Sequence, residues 1–193
     1  LKNILEACKK AGNPDRVFIF ASTSKITFPG SGVAMMASSE SNINQIKKLL
    51  GIRSIGPDKI NQLRHVMFFS DPDSIEQHMK KHAAILKPKF EMVLSILDSR
   101  LGDRNIAKWS RPNGGYFISL DTLPGCASAV VKMAGEAGVV LTPAGATFPY
   151  GKDPQDCNIR IAPTLPPLEE LKLAMELLCT CIQIVSARKL LGT

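Results

Sequence analysis

No apolar run in this sequence approaches the roughly 18–20 residues that a membrane-crossing helix requires, so no transmembrane helix is expected. No basic-then-apolar leader precedes Leu1, and the start at leucine reads as a piece trimmed from a longer chain. Aromatic residues are scarce, 6% of 193, and none alternates with basic residues in a way that would build a stacking platform for nucleic acid. The formal charge of +7 would otherwise invite a polyanion. Because the lysines and arginines are dispersed, a solvated basic surface is expected, with nucleic acid an unlikely partner; a site for small anionic substrates would suit the same balance.

The five cysteines (Cys8, Cys126, Cys157, Cys179, Cys181) form no C-x-x-C pair and no His/Cys metal spacing. Cys179 and Cys181, two apart on an apparent helix, point to different faces, which argues against a bridge. Reduced and mostly buried thiols of a cytoplasmic protein are the expectation. His65, His78 and His82 lie in helical sequence. His78 and His82 have the i,i+4 spacing of metal ligands but no third candidate nearby, so a solvated helix face is expected and no metal. Internal repeats and low-complexity segments are also missing.

The composition that remains, 45% apolar and 21% charged, is that of a globular α/β chain with room for one sizeable core or two small ones. A short helix is expected over 2–11, ended by Gly12-Asn13-Pro14. Val17–Phe20 and Val33–Ala37 are continuous apolar runs of strand length, as for strands buried on both faces. Ser41 opens a helix that Gly51 closes. Helices follow over 57–69 and 74–101, the second begun by a Ser74-Ile75-Glu76-Gln77 capping box and kinked at Pro88. Beyond Gly102 come a turn at 111–114, a strand over 116–120, a helix over 126–136, strands over 139–141 and 158–162, and an amphipathic helix from Pro167. That helix carries Leu171, Met175, Leu178, Ile182 and Val185 on one stripe. Residues 1–101 read as part of a larger α/β domain with a connecting helix, and residues 102–193 as a compact α+β lobe.

Within "FIFASTSKITFPGSGVA", residues 18–34, a single lysine stands five residues past a strand end, where open α/β sheets place their sites. Lys25 could be an ordinary exposed lysine of a polar loop. Ser22-Thr23-Ser24-Lys25 also has the S-x-x-K form of serine acyl-enzymes, with Ser22 the nucleophile. Pro29 and Gly30 would stop the helix that chemistry needs, and neither S-D-N nor K-T-G is present. Gly30-Ser31-Gly32 lacks the third glycine of a dinucleotide turn. A Schiff-base lysine remains: held at a strand end, it has small hydroxyl neighbours able to donate to a phosphate.

"STSKITFPGSGVA" resembles the lysine segment of the class I/II aminotransferases, fold type I enzymes that use pyridoxal 5′-phosphate (PLP). "NIRIAPTLPPLEEL" (158–171) is similar to the strand and helix in which that family places a carboxylate-binding arginine, here Arg160, 135 residues after Lys25. "RPNGGYFISL" (111–120) and "GVVLTPAGATF" (138–148) resemble the opening strand and a later segment of the family's small domain. The wording around Lys25 is closest to a bacterial aspartate aminotransferase-like branch.

The resemblance implies the end of a PLP-binding large domain, mainly parallel sheet with helices, followed by a C-terminal α+β small domain. Lys25 would bind the cofactor covalently and act as general base. Ser22, and secondarily Ser24, would contact its phosphate. Arg160 would hold the substrate α-carboxylate, with Asn113 and Gly114 near the substrate. An amino acid, most plausibly aspartate or another dicarboxylic one, and a 2-oxo acid would be the substrates of a homodimeric enzyme. A MocR-type regulator's effector domain or a PLP-dependent C–S lyase would keep the same lysine and arginine. Two departures stand out: Gly32 occupies the position of the family's phosphate-binding arginine, and the family's other cofactor contacts all precede the lysine. The chain therefore reads as the carboxyl-terminal half of an aminotransferase, joined to an upstream half of the same polypeptide and inactive alone.

Overall fold

The structure is a computed structural model that describes residues 3–192. It divides into two compact units between Lys80 and Lys81.

In the first unit, helix α1 (Ile4–Lys10) begins where the Asn3 side chain accepts from the Leu5 amide. Residue 2, which the sequence assigns to this helix, lies outside the described residues. Strand β1 (Ile19–Ser22) pairs antiparallel with β2 (Ala34–Ala37), with Ser22 opposite Ala34 at the end joined by loop 23–33. Helix α2 (Glu40–Arg53) is capped by Ser39, not Ser41, because the Ser39 hydroxyl accepts from the Asn42 amide. The helix also runs through Gly51, which costs about 1 kcal/mol relative to alanine but does not stop it. Helix α3 (Lys59–Phe68) is capped by Asp58.

The strand pair differs from the expectation of double burial. Phe20 is 73% exposed and Met35 52%, because no layer of this unit covers the ladder. The α/β class holds, but the parallel strands that the resemblance implies are not among the described ones; both sheets are antiparallel.

Helix α4 (Pro72–Leu101) passes through the boundary between the units. Its start is fixed by Asp71, whose carboxylate accepts the Ser74 amide at 2.7 Å, with Pro72 at the first helical position. Asp71 thus takes the capping role that the sequence suggests for Ser74. Pro88 lies inside α4, and helix continues on both sides of it.

In the second unit, β3 (Ala107–Trp109), β4 (Ile118–Thr122) and β5 (Asn158–Ile161) form an antiparallel sheet in the order β3-β4-β5. Helices α5 (Ala127–Glu136) and α6 (Leu168–Leu191) accompany it. Period-2 alternation turns Ile118, Leu120, Ile159 and Ile161 to one side of the sheet, where all four are buried. The α4 positions Phe90, Val93, Leu97 and Leu101 and the α6 positions Leu171, Met175, Leu178, Ile182 and Val185 join them in one core.

Residues 139–141 form no strand. Gly138, at φ +95°, lets the chain wrap the C-terminus of α5, and the Val139 amide is spent on the Ala134 carbonyl at 2.8 Å. All five cysteines are free; Cys126, Cys179 and Cys181 are buried. No described helix is long and apolar enough to cross a membrane.

Candidate active site

Lys25 sits in a turn just past the end of β1. The Thr23 carbonyl accepts both the Ile26 amide (2.8 Å) and the Thr27 amide (2.9 Å), which closes one tight loop around Ser24 and Lys25. The turn is tied to the start of β2, since the Thr23 amide donates to the Val33 carbonyl and the Val33 amide donates to the Thr23 hydroxyl, both at 2.9 Å. Lys25 is exposed, as are Ser22 and Ser24, whose hydroxyls lie 3.1 Å apart in a hydrogen bond donated by Ser22.

Gly32 is packed against this turn. A Cβ there would stand 3.0 Å from Ser24 Oγ and 3.1 Å from Ser24 Cα and N. Any larger residue, arginine included, would have to push the Ser24 backbone away. The glycine that replaces the arginine of the resemblance therefore has a local cause, the close approach of two backbone segments.

Beneath the turn lies a group that sequence reading missed. His65 of α3, which the sequence marks only as helical, is 9% exposed and is the single buried residue among those described in the first unit. Its Nε2 lies 2.8 Å from Thr27 Oγ1 and 3.2 Å from Thr23 Oγ1, and its Nδ1 lies 2.8 Å from the Asn61 carbonyl. His78 departs from the solvated-face expectation, because it is half-buried and donates from Nε2 to the Ile26 carbonyl at 2.8 Å. The rings of Phe28, Phe68 and Phe69 meet these two imidazoles edge-on, at centroid distances of 5.3–5.5 Å, and meet one another at 4.7–5.1 Å. These partners are 38–52 residues apart in sequence, so no local spacing announces them.

In the second unit, Arg160 is the outward residue between buried Ile159 and Ile161, opposite Ser119 of β4. Its guanidinium carbon lies 4.5 Å from the Phe117 ring centroid, a cation–π distance, and one terminal nitrogen donates to Thr142 Oγ1 at 3.3 Å. Its Nε is buried without a hydrogen-bond partner. An orphaned donor of this kind costs about 1–3 kcal/mol.

The start of β5 is held by Asp153, whose carboxylate accepts the Cys157 and Asn158 amides at 2.8 Å each and the Gln155 amide at 3.0 Å. Those donors, the Asn158 amide foremost, keep the Asp153 carboxyl below its ordinary pKa. On the same outward face Asn158 bridges Ser119, Asp121 and Thr147. Asn113 is exposed on the turn before β4, two residues after Arg111, which pairs with Asp98 of α4.

All 193 residues match the family model for aspartate amino-transferase. The chain belongs to the aspartate aminotransferase family. An aspartate aminotransferase of Corynebacterium glutamicum is 50% identical over 177 residues, covering 92% of this chain and 41% of the relative. The crystal structure of an aspartate transaminase from the same species superimposes with a TM-score of 0.93 at 48% identity, over 97% of this chain and 44% of that one. An α-aminoadipate aminotransferase of Thermus thermophilus, solved with N-(5′-phosphopyridoxyl)-L-leucine, shares the fold at 19% identity and a TM-score of 0.75. This aspartate aminotransferase-family chain thus spans less than half the length of the relatives it matches.

Proposed function

We propose that the chain is the C-terminal part of a PLP-dependent aminotransferase that moves the amino group of aspartate, or of another dicarboxylic amino acid, to a 2-oxo acid. The observation that carries this reading is the place of Lys25, an exposed amine on a closed turn at a strand end with two serine hydroxyls beside it. That donor set fits a cofactor with an aldehyde and a phosphate: Lys25 for the aldehyde carbon, Ser22 and Ser24 for phosphate oxygens. A side chain at Gly32 would crowd Ser24, and the cation that balances the phosphate comes from another position.

When bound, the cofactor supplies an electron sink for the pair left at the substrate Cα. Lys25 would hold the cofactor's aldehyde carbon, and its amine would serve as the base that moves the substrate α-proton. Arg160 binds the α-carboxylate and thereby fixes which Cα bond is oriented to break. Its partnerless Nε and the ring under its guanidinium support that role, since a carboxylate oxygen would satisfy the orphaned N–H. Asn113 stands near the substrate on this reading.

The remaining contacts to the cofactor come from an upstream part of the same polypeptide. The working unit is a cytoplasmic homodimer, and residues 3–192 alone are inactive.

The complete polypeptide, incubated with PLP, should show the absorbance band of lysine-bound cofactor and form oxaloacetate and glutamate from L-aspartate and 2-oxoglutarate. Lys25→Ala should remove the band and lower turnover by at least about 10²-fold. A folded protein with the band but without oxaloacetate would point instead to the lyase or effector-domain readings. Absence of the band would remove the cofactor assignment itself.

A further inference from the structure

We propose that His65 is a positioning residue for Lys25, acting through the Thr27 and Thr23 hydroxyls that meet its Nε2. The inference rests on the reading of Lys25 as the cofactor-binding lysine. Both threonine hydroxyls lie within hydrogen-bond reach of His65 Nε2, Thr27 at 2.8 Å and Thr23 at 3.2 Å. The Asn61 carbonyl can only accept, so Nδ1 of His65 carries a hydrogen, and in the neutral ring Nε2 then holds the lone pair. The Thr27 hydroxyl, 2.8 Å away, donates to that lone pair. Thr27 Oγ1 also lies 3.0 Å from Thr23 Oγ1 and 3.2 Å from the Thr23 carbonyl oxygen, and Thr23 Oγ1 accepts the Val33 amide at 2.9 Å.

Both ends of the Lys25 turn, Thr23 and Thr27, therefore meet one imidazole. The charged and titratable groups nearby are Arg64, 6.0 Å from the Phe28 ring centroid, His78 across Phe68, and Lys25 itself. None of the three stands between His65 and the threonines in the bonded chain. A lysine that must reach one carbon atom gains from a turn with a single conformation. This clamp supplies one where the unit has no apolar core to do so.

The test uses the complete polypeptide freed of cofactor. PLP is added, samples are quenched with borohydride over time, and the phosphopyridoxyl-Lys25 peptide is quantified by mass spectrometry. Thr27→Val and His65→Leu should each slow formation of that peptide by roughly fivefold to tenfold, the size of one lost buried hydrogen bond. Thr27→Ser, which keeps the hydroxyl, should restore the wild-type rate. In the cofactor-free protein with ¹⁵N-labelled histidine, His65 should show the Nδ1–H tautomer, with an Nε2 shift altered in Thr27→Val and not in Thr27→Ser.

Equal capture rates in wild type, Thr27→Val and His65→Leu would overturn the proposal, as would an Nε2–H tautomer. Equal slowing by Thr27→Val and Thr27→Ser would also overturn it, since packing and not the bond would then be responsible. If wild type gives no Lys25 adduct at all, the reading of Lys25 has failed. The tautomer measurement still decides whether the hydrogen-bond chain exists.

Discussion

The two units of this chain hold their residues in place by different means. After Lys80, helices α4, α5 and α6 and the three-stranded sheet seal a core running from Phe90 to Val185, and Leu97, Leu101, Leu120, Leu178 and Ile182 reach complete burial. Before Lys81, none of the described apolar side chains is buried, and Phe20, Ile52, Ile60 and Met67 are each more than 70% exposed. What orders the Lys25 turn is a set of directional contacts: two imidazoles, two threonines and three phenylalanine rings. Arg160, by contrast, stands on a strand whose alternate residues are anchored in the core. The comparison teaches that two candidate site residues of one chain can depend on different physics, hydrogen bonding for Lys25 and apolar burial for Arg160.

Substitutions can break that contrast or sharpen it. The largest effect after loss of Lys25 is expected at Arg160. Arg160→Ala removes a charge-assisted carboxylate contact and should lower kcat/KM for L-aspartate by about 10- to 150-fold, mostly through KM. Unchanged kinetics would take the arginine out of the site.

Next in size is a pair of truncations in the 193-residue chain. Leu178→Ala, at a fully buried position, should destabilise the second unit by about 2–5 kcal/mol in denaturant titrations. Leu63→Ala, at a position 57% exposed, should change stability by less than about 0.5 kcal/mol. Comparable losses at both positions would erase the distinction between the units.

Gly32→Ala should weaken PLP retention severalfold without moving the thermal midpoint of the second unit, because its Cβ disturbs only the Ser24 backbone.

The smallest effect is a pH dependence of the sealed core. Burial pushes the Cys179 thiol up from 9.0 to about 11. The folded state therefore keeps its proton while the unfolded chain releases it, and the thiol's contribution, fully present below pH 9, fades as pH rises toward 11. Cys179→Ala should flatten that alkaline slope in unfolding curves measured between these pH values.

Much of the second unit is legible from sequence, because its signals are periodic. The α4 and α6 stripes repeat every three to four residues and the alternation in β4 and β5 every two, and the burial follows both. The lysine segment is legible for another reason: hydroxyls, glycines and a proline crowd one short turn. Contacts that join distant positions leave no such trace. Nothing near His65 in the sequence shows that it meets Thr27, and a three-residue strand such as β3 is too short for alternation to show. The apolar runs of β1 and β2 suggest a burial that the structure does not show, because no layer of this unit covers them. Val139–Leu141 looks like a strand because of its composition, yet its first amide is already committed to the end of α5.

The central claim, that the lysine on the hydrogen-bonded turn is where the cofactor attaches, is tested most directly by reductive trapping. The complete polypeptide is loaded with PLP, reduced with borohydride and digested, and each lysine-containing peptide is weighed. The account predicts one phosphopyridoxyl group per chain, on the peptide that contains Lys25. A stoichiometric adduct on any other lysine, or a folded protein that traps none, would contradict it.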